Sequence, residues 1–182
     1  NWLSDEIITT IARDNEEAFN DLQIIKETFR DAEEFGSLLN IEKLNFSSIE
    51  ECLNEYKNKQ TDLLDWKNKE IIMNRLPKLI KQSKILSQKY DILCTNPPYL
   101  GRKGMNEKLR KYLDKHHQLT KYDLFAAFIE RSFELVKNYG FSSIVTMQSW
   151  MFLSSYEKFR KKLINNKTIY TLLHMDNMVM GI

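Results

Sequence analysis

The fold is decided by a short stretch, residues 90–99, which reads YDILCTNPPY. Its first six residues form an apolar run, bounded by a lysine before it and by prolines after it. A run of this kind is too short for an ordinary globular helix and is typical of a buried β-strand. The sequence therefore predicts a strand over residues 90–95 that ends at a proline-rich turn.

The turn after this strand is Asn96-Pro97-Pro98-Tyr99. The residue before a proline is excluded from helical geometry and each proline fixes its own φ near about −65°, so the turn is a stiff, extended corner. Because neither proline has an N–H, the corner presents carbonyl oxygens and the Asn96 amide oxygen as acceptors. They lie at the carboxyl end of the strand, where ligands of open α/β sheets bind. Acceptors beside the Tyr99 ring suit an exocyclic amino group on a heterocycle.

The alternative interpretation is that these residues form a rigid turn that ends a strand and has no catalytic role. Average residue frequencies put this tetrapeptide by chance in on the order of 1 in 2,000 chains of this length. Its position, at a strand end and before a basic loop, also favours function. We therefore take Asn96, Pro97, Pro98 and Tyr99 as the catalytic candidates.

The rest of the second half alternates helix and strand patterns. Thr120 and Asp123 have the spacing of a capping box before an apolar helical face, and Gly140 stands where a helix commonly ends. Strands are predicted over residues 141–147 and 168–174, with a second capped helix between them. Strand, helix, strand, helix and strand at these lengths indicate βαβ units in a parallel sheet, so the predicted fold class is α/β.

The first half is predicted to be mainly helical. Residues 15–33 place apolar side chains at spacings of three and four, the pattern of a helix with one buried face. Residues 48–89 repeat the pattern loosely, and Pro77 is expected to kink or divide that region. We therefore predict two parts, a mainly helical segment or insertion at residues 1–89 and an α/β part at residues 90–182.

Positive charge is concentrated just after the corner. The whole chain of 182 residues has a formal charge of only +2, which does not by itself indicate nucleic acid. Within residues 102–121, however, seven basic side chains accompany two acidic ones. This segment is interpreted either as a loop that contacts phosphates or as an ordinary solvated surface. The candidate DNA contacts in it are Arg102, Lys103, Lys108, Arg110 and Lys111.

Composition excludes several classes of protein. A chain with 42% hydrophobic and 12% aromatic residues is neither a disordered tail nor a fibrous repeat. It encodes no signal peptide and no membrane span, so a cytoplasmic location is expected. Cys52 and Cys94 lack metal-ligand spacing, and no zinc site or disulfide framework is expected. The start at Asn1 and the apolar last residues suggest a fragment of a longer protein.

The corner also carries a family resemblance. Asn96-Pro97-Pro98-Tyr99 resembles the catalytic motif of the N6-adenine DNA methyltransferases, which use S-adenosylmethionine. The surrounding segments, YDILCTNPPYLGRKGMN and KYDLFAAFIERSFELVKNYGFSSIVTMQSWMFLSSYEKFRKKL, resemble the large adenine methyltransferases of BREX phage-defence systems and type IIG restriction-modification enzymes. This resemblance implies a partial Rossmann-like methyltransferase fold, with residues 90–182 as the C-terminal part of the catalytic domain.

The resemblance also implies roles for individual residues. The Asn96 side-chain oxygen and the Pro97 carbonyl would accept the two amino hydrogens of an adenine flipped out of double-stranded DNA, and Tyr99 would stack on that base. Asp123, Leu124 and Phe125 would border the cofactor. The implied partners are double-stranded DNA and other subunits of a defence system.

One part of the family pattern is missing from the sequence. The five glycines form no GxG anywhere, so the turn that holds the methionine part of the cofactor is absent. We therefore expect residues 1–182 alone neither to bind S-adenosylmethionine tightly nor to methylate DNA. Two alternatives stay open: an Asn-Pro-Pro-Tyr methyltransferase acting on protein glutamine or RNA, and a non-catalytic nucleic-acid-binding module on the same fold.

Overall fold

The computed structural model describes residues 3–41, 44–58 and 66–175. The chain divides into two compact units, residues 1–89 and residues 90–182. Within the described residues, no helix is both long enough and apolar enough to cross a membrane.

The first unit is built from helices that each bury one face. Ser4 caps the first helix by accepting a hydrogen bond from the Ile7 amide, and Asn15 caps the second in the same way. Leu22 and Ile25 are fully buried, which confirms the amphipathic helix predicted within residues 15–33. The helices are α1 (Asp5–Ala12), α2 (Glu16–Thr28), α3 (Ala32–Phe35), α4 (Phe46–Asn58), α5 (Trp66–Glu70) and α6 (Leu76–Ser87).

Pro77 does not divide the last helical region of this unit. It lies in the first turn of α6, a position at which proline is tolerated in helices. A π-helical turn, Ile71–Arg75, joins α5 to α6. The helical path is therefore continuous through Pro77, and a π-helical turn just before it takes the place of the predicted kink or division.

The second unit contains a two-stranded parallel sheet made of β1 (Tyr90–Thr95) and β2 (Val136–Ile144). The strand predicted over residues 90–95 is thus confirmed. Its helices are α7 (Glu107–His116), α8 (Leu124–Leu135), α9 (Ser149–Phe152) and α10 (Glu157–Asn166). The described residues form a mixed helix and strand structure in which a parallel pair is joined through helices.

The boundary between α8 and β2 lies earlier than predicted. α8 ends at Leu135 rather than near Gly140, and β2 covers Val136–Ile144 rather than residues 141–147. The pairing register is irregular near the start of both strands, where β2 carries extra residues. Gly140 lies in this irregular stretch, and a Cβ there would come within 2.7 Å of the Asp91 carbonyl oxygen. This glycine permits close strand packing and does not end a helix.

The strand predicted over residues 168–174 is wrong, because the structure assigns no strand there. The segment is exposed along its length, with Tyr170 at 84% and Leu173 at 80%. The Tyr170 ring meets the Phe141 ring edge-on, with centroids 6.0 Å apart. An apolar run becomes a strand only when a neighbouring strand pairs with its backbone, and among the described residues no ladder reaches this segment.

The core of the second unit lies between α8, α10 and one face of the sheet. Phe125 and Phe159 are fully buried in it, and Ile144 packs against it from the sheet. On the opposite face of the sheet the described residues leave the paired side chains of Ile92 and Phe141 67% and 60% exposed.

Candidate active site

The corner Asn96–Tyr99 leaves the carboxyl end of β1 directly. The Val145 amide donates to the Thr95 carbonyl oxygen over 3.1 Å, which extends the strand pairing up to the residue before the corner. The Pro97 side chain is buried, whereas Asn96 is exposed. The sheet therefore fixes the base of the corner and leaves its polar end open to solvent.

The polar groups of the corner contact each other. The Tyr99 hydroxyl donates to the Asn96 amide oxygen over 2.8 Å. An amide oxygen has two lone pairs, so Asn96 keeps capacity to accept a second hydrogen bond. Among the described residues, nothing donates to the Pro97 carbonyl oxygen. Both acceptors singled out from the sequence thus keep hydrogen-bonding capacity, Asn96 at an exposed position and Pro97 at a buried one.

The Tyr99 ring stands at the edge of the core. It is 40% exposed and meets the buried Phe125 ring edge-on, with centroids 6.2 Å apart. The ring is thus supported on one side and open on the other, which suits stacking on a planar ligand.

A short antiparallel contact brings the start of α8 beside the corner. The Leu124 amide donates to the Leu100 carbonyl over 3.0 Å, and the Arg102 amide donates to the Tyr122 carbonyl over 3.0 Å. Gly101 and Asp123 face each other between these two bonds. The segment from residue 102 to residue 121 is therefore closed into a loop whose two ends meet at the site.

The cap and start of α8 lie beneath the corner and consist of the three predicted cofactor residues Asp123, Leu124 and Phe125. The Asp123 carboxylate accepts from the Phe125 amide over 3.4 Å and caps α8, while Leu124 and Phe125 are buried. Burial raises the pKa of the Asp123 carboxyl above its usual range, although contacts with backbone amides oppose that shift. These residues supply at most one wall for a cofactor, since the carboxylate is used by the helix and both neighbours face the core. Their role at a cofactor stays a prediction.

The basic segment after the corner is partly tied up in ion pairs. Arg102 contacts Asp114 over 2.7 Å, and Lys121 contacts the other oxygen of Asp114 over 3.0 Å. Lys111 pairs with Glu107 on α7 over 2.7 Å. These pairs leave Arg102 and Lys111 partly neutralised by carboxylates in this structure.

The remaining predicted DNA contacts differ from one another. Lys103, Lys108 and Arg110 are exposed. In the part of the chain that the structure describes, Lys103 makes no ion pair, and it follows Arg102 on the loop that leaves the corner. Of the five candidates, Lys103 is the best placed to meet a phosphate.

Sequence reasoning missed a buried polar network behind the site. Glu130 of α8 is 8% exposed and accepts from the Thr120 hydroxyl and from Lys162 of α10, each over 2.8 Å. His117, at the end of α7, lies 3.4 Å from the same carboxylate. Burial alone would raise the pKa of Glu130, but its contacts with His117, Lys162 and Thr120 outweigh burial and lower the pKa to about 2. The available signal was an acidic residue within the apolar face of a predicted helix.

The sequence of this chain matches one protein family and several known proteins. The family described as Eco57I restriction-modification methylase matches residues 4–179. The chain is 39% identical over 153 residues to the "Adenine-specific methyltransferase BrxX" of Escherichia coli O9:H4 (strain HS), which covers 84% of this chain and 12% of that protein.

Two further relatives match about half of the chain. The "Adenine-specific methyltransferase PglX" of Lacticaseibacillus casei (strain Zhang) is 42% identical over 88 residues, or 48% of this chain and 7% of that protein. The "Type II restriction enzyme and methyltransferase RM.Eco57I" of Escherichia coli is 29% identical over 94 residues, or 49% of this chain and 9% of that protein. The chain thus spans no more than 12% of the length of these three relatives.

Proposed function

This chain belongs to the Eco57I restriction-modification methylase family, and from that premise we propose that it forms part of an adenine-specific DNA methyltransferase. The reaction is transfer of a methyl group from S-adenosylmethionine to the N6 amino group of adenine. In this proposal residues 90–182 are the C-terminal part of a Rossmann-like catalytic domain, and residues 1–89 are a helical insertion. The biological setting is restriction-modification or phage defence, alongside other subunits of such a system.

The observation that carries the proposal is the open corner at the end of β1. Two acceptors, the Asn96 amide oxygen and the Pro97 carbonyl, keep hydrogen-bonding capacity beside the partly exposed ring of Tyr99. An adenine flipped out of the duplex offers two amino hydrogens and a flat ring, which complement these three groups. This complementarity supports the proposal that the corner binds a flipped adenine.

The same acceptors favour the chemical step. The amino nitrogen of adenine is a poor nucleophile, because its lone pair is delocalised into the ring. Hydrogen bonds to Asn96 and Pro97 draw that nitrogen toward tetrahedral geometry and stabilise the positive charge that develops on it as it gains the methyl group. The nitrogen then gives up one proton to water, and no base with an unusual pKa is required.

S-adenosylmethionine, when bound, supplies the methyl group. Its binding is only partly explained by this chain, because the sequence contains no GxG turn and the Asp123 carboxylate is used to cap α8. We therefore propose that most contacts to the methyl donor, S-adenosylmethionine, come from parts of the protein other than these 182 residues.

The test is the substitution Asn96→Ala in the full-length protein, with Asn138→Ala as the matched control at an exposed position of β2. Methyl transfer to adenine-containing duplex DNA should fall by at least 100-fold in Asn96→Ala, on the scale of losing one preorganised donor or acceptor. The control should methylate like the parent, and circular dichroism should show all three proteins folded.

Three outcomes would contradict the proposal. Full activity of Asn96→Ala removes the catalytic assignment. Methylation of RNA or of a glutamine peptide in place of DNA identifies another Asn-Pro-Pro-Tyr methyltransferase. DNA binding by the parent protein without any methyl transfer identifies a non-catalytic binding module.

A further inference from the structure

A cleft of about 500 Å³ opens in the second unit, next to the candidate site but separate from it. One side is formed by the turn between α7 and α8 and the other side by the start of α10. Its volume falls within the roughly 300–1,000 Å³ that is typical of ligand sites. Polar and aromatic side chains predominate in its lining, which includes Gln118, Lys121, Tyr122, Ser154, Ser155 and Lys158.

The two carboxylates that also line the cleft are neutralised. Asp114 is held between Arg102 and Lys121, and Glu157 is paired with Lys161 over 2.7 Å. Lys158 lies in the cleft and makes no ion pair with any residue that the structure describes. The cleft and its immediate partners therefore carry four cations against two carboxylates, and the ammonium of Lys158 is available to a ligand.

Two neighbouring backbone contacts link the residues of the cleft to the segment that follows the corner. The Tyr122 carbonyl accepts from the Arg102 amide, and the next residue, Asp123, faces Gly101. The Tyr122 ring is 41% exposed and rests edge-on against the buried Tyr156 ring, with centroids 5.9 Å apart. The side of the cleft that carries Tyr122 therefore lies one residue along the chain from Asp123, which faces Gly101, two residues after the corner.

We propose that this cleft binds the DNA strand that delivers the adenine, with Lys121 and Lys158 on its phosphates and Tyr122 against a neighbouring sugar or base. This inference rests on the proposed function. A positively charged groove with an exposed aromatic ring is the combination by which proteins hold single nucleic-acid strands. A small anion would bind the lysines but would make no stacking contact with the Tyr122 ring.

The experiment measures binding of the full-length protein to a fluorescent duplex that contains the adenine target, at several salt concentrations. Lys158→Ala is compared with Lys78→Ala, a matched control on the exposed surface of α6. Losing one phosphate contact should lower the slope of log affinity against log salt by about 0.9 and weaken binding roughly fivefold at physiological salt. Lys78→Ala should match the parent in slope and affinity.

A second variant, Tyr122→Ala, separates stacking from charge. It should weaken binding roughly fivefold or more while leaving the salt slope unchanged. If both cleft variants bind like the parent while the parent methylates adenine, the cleft inference is wrong and the proposed function stands. If the parent does not methylate adenine in DNA, the proposed function fails and the inference fails with it. Loss of affinity for an RNA strand only, with DNA binding intact, also overturns the inference.

Discussion

Tyr99 acts at the corner through two separate parts of its side chain. Its hydroxyl donates to the Asn96 amide oxygen, which orients that amide, and its ring offers an exposed face for stacking. The two parts can be tested apart, because phenylalanine keeps the ring and loses only the hydroxyl.

We predict that Tyr99→Phe lowers the single-turnover rate of methyl transfer between about two- and tenfold, the range of one ordinary hydrogen bond. Its affinity for DNA should stay within error of the parent, since the stacking face is retained. Tyr99→Ala should lose both rate and affinity. A Tyr99→Phe protein as fast as the parent would show that the hydroxyl does not orient Asn96 during the reaction.

At the scale of elements, Glu130 joins three parts of the second unit. It contacts the end of α7 through His117, the following turn through Thr120, and α10 through Lys162. The loop that begins at the corner returns along these elements, so the network fixes the helices that border the site.

The lowered pKa of Glu130 predicts how stability depends on pH. Its folded pKa of about 2 lies below the ordinary value of 4.5, so its contribution is complete above pH 4.5 and is lost as pH falls toward 2. Glu130→Gln should therefore cost about 3 kcal/mol of unfolding free energy at pH 7 and progressively less below pH 4.5. Urea unfolding followed by circular dichroism measures this difference.

Glu33→Gln, at an exposed position of α3, is the matched control for that series and should unfold like the parent at every pH. If Glu130→Gln lowers the unfolding free energy equally at pH 7 and pH 3, the charge of the carboxylate does not contribute to stability. The lost stability would then come from packing.

Sequence patterns predicted those elements whose signals are local. The apolar run at residues 90–95 and the proline corner each depend on a few neighbouring residues, and each is found where expected. The two predicted capping boxes are wrong, because Asp123 rather than Thr120 caps α8, and α10 begins after Tyr156 without a side-chain cap. The end of α8 was misplaced, because Gly140 serves a close approach to Asp91 that no local pattern reveals. The strand over residues 168–174 was wrong for a related reason, since pairing depends on a partner elsewhere in the chain.

The candidate site was likewise predicted only where its signals are local in the sequence. The acceptors and the ring of the corner follow from residue types at adjacent positions. The partners of Glu130 and the cleft beside Tyr122 could not be predicted, because they join side chains from separate helices and turns that only folding brings together.

At the scale of the whole molecule, the residues that the structure describes pack a core against one side of the sheet only. α8 packs on one face, whereas Ile92 and Phe141 remain largely exposed on the other. Parallel sheets in α/β proteins are normally covered on both faces. This open apolar face agrees with the proposal that the 182 residues act as part of a larger catalytic domain.

We predict that residues 1–182 produced alone do not bind S-adenosylmethionine tightly and do not methylate DNA. The reason is the missing GxG turn together with the use of Asp123 as a helix cap. Isothermal titration calorimetry with the cofactor should show no binding in the micromolar range, whereas the full-length protein should bind. Micromolar binding by the short chain would contradict this prediction and place the donor site within these residues.

The parallel pairing of β1 with β2 has a consequence for synthesis of the protein on the ribosome. Thr95, which precedes the corner, pairs with Ile144. At about 5–20 residues per second, these roughly 50 residues take on the order of 2–10 s to translate. During that interval the nascent corner lacks the pairing that fixes it, so a polypeptide released before residue 136 would carry the Asn-Pro-Pro-Tyr motif without its geometry.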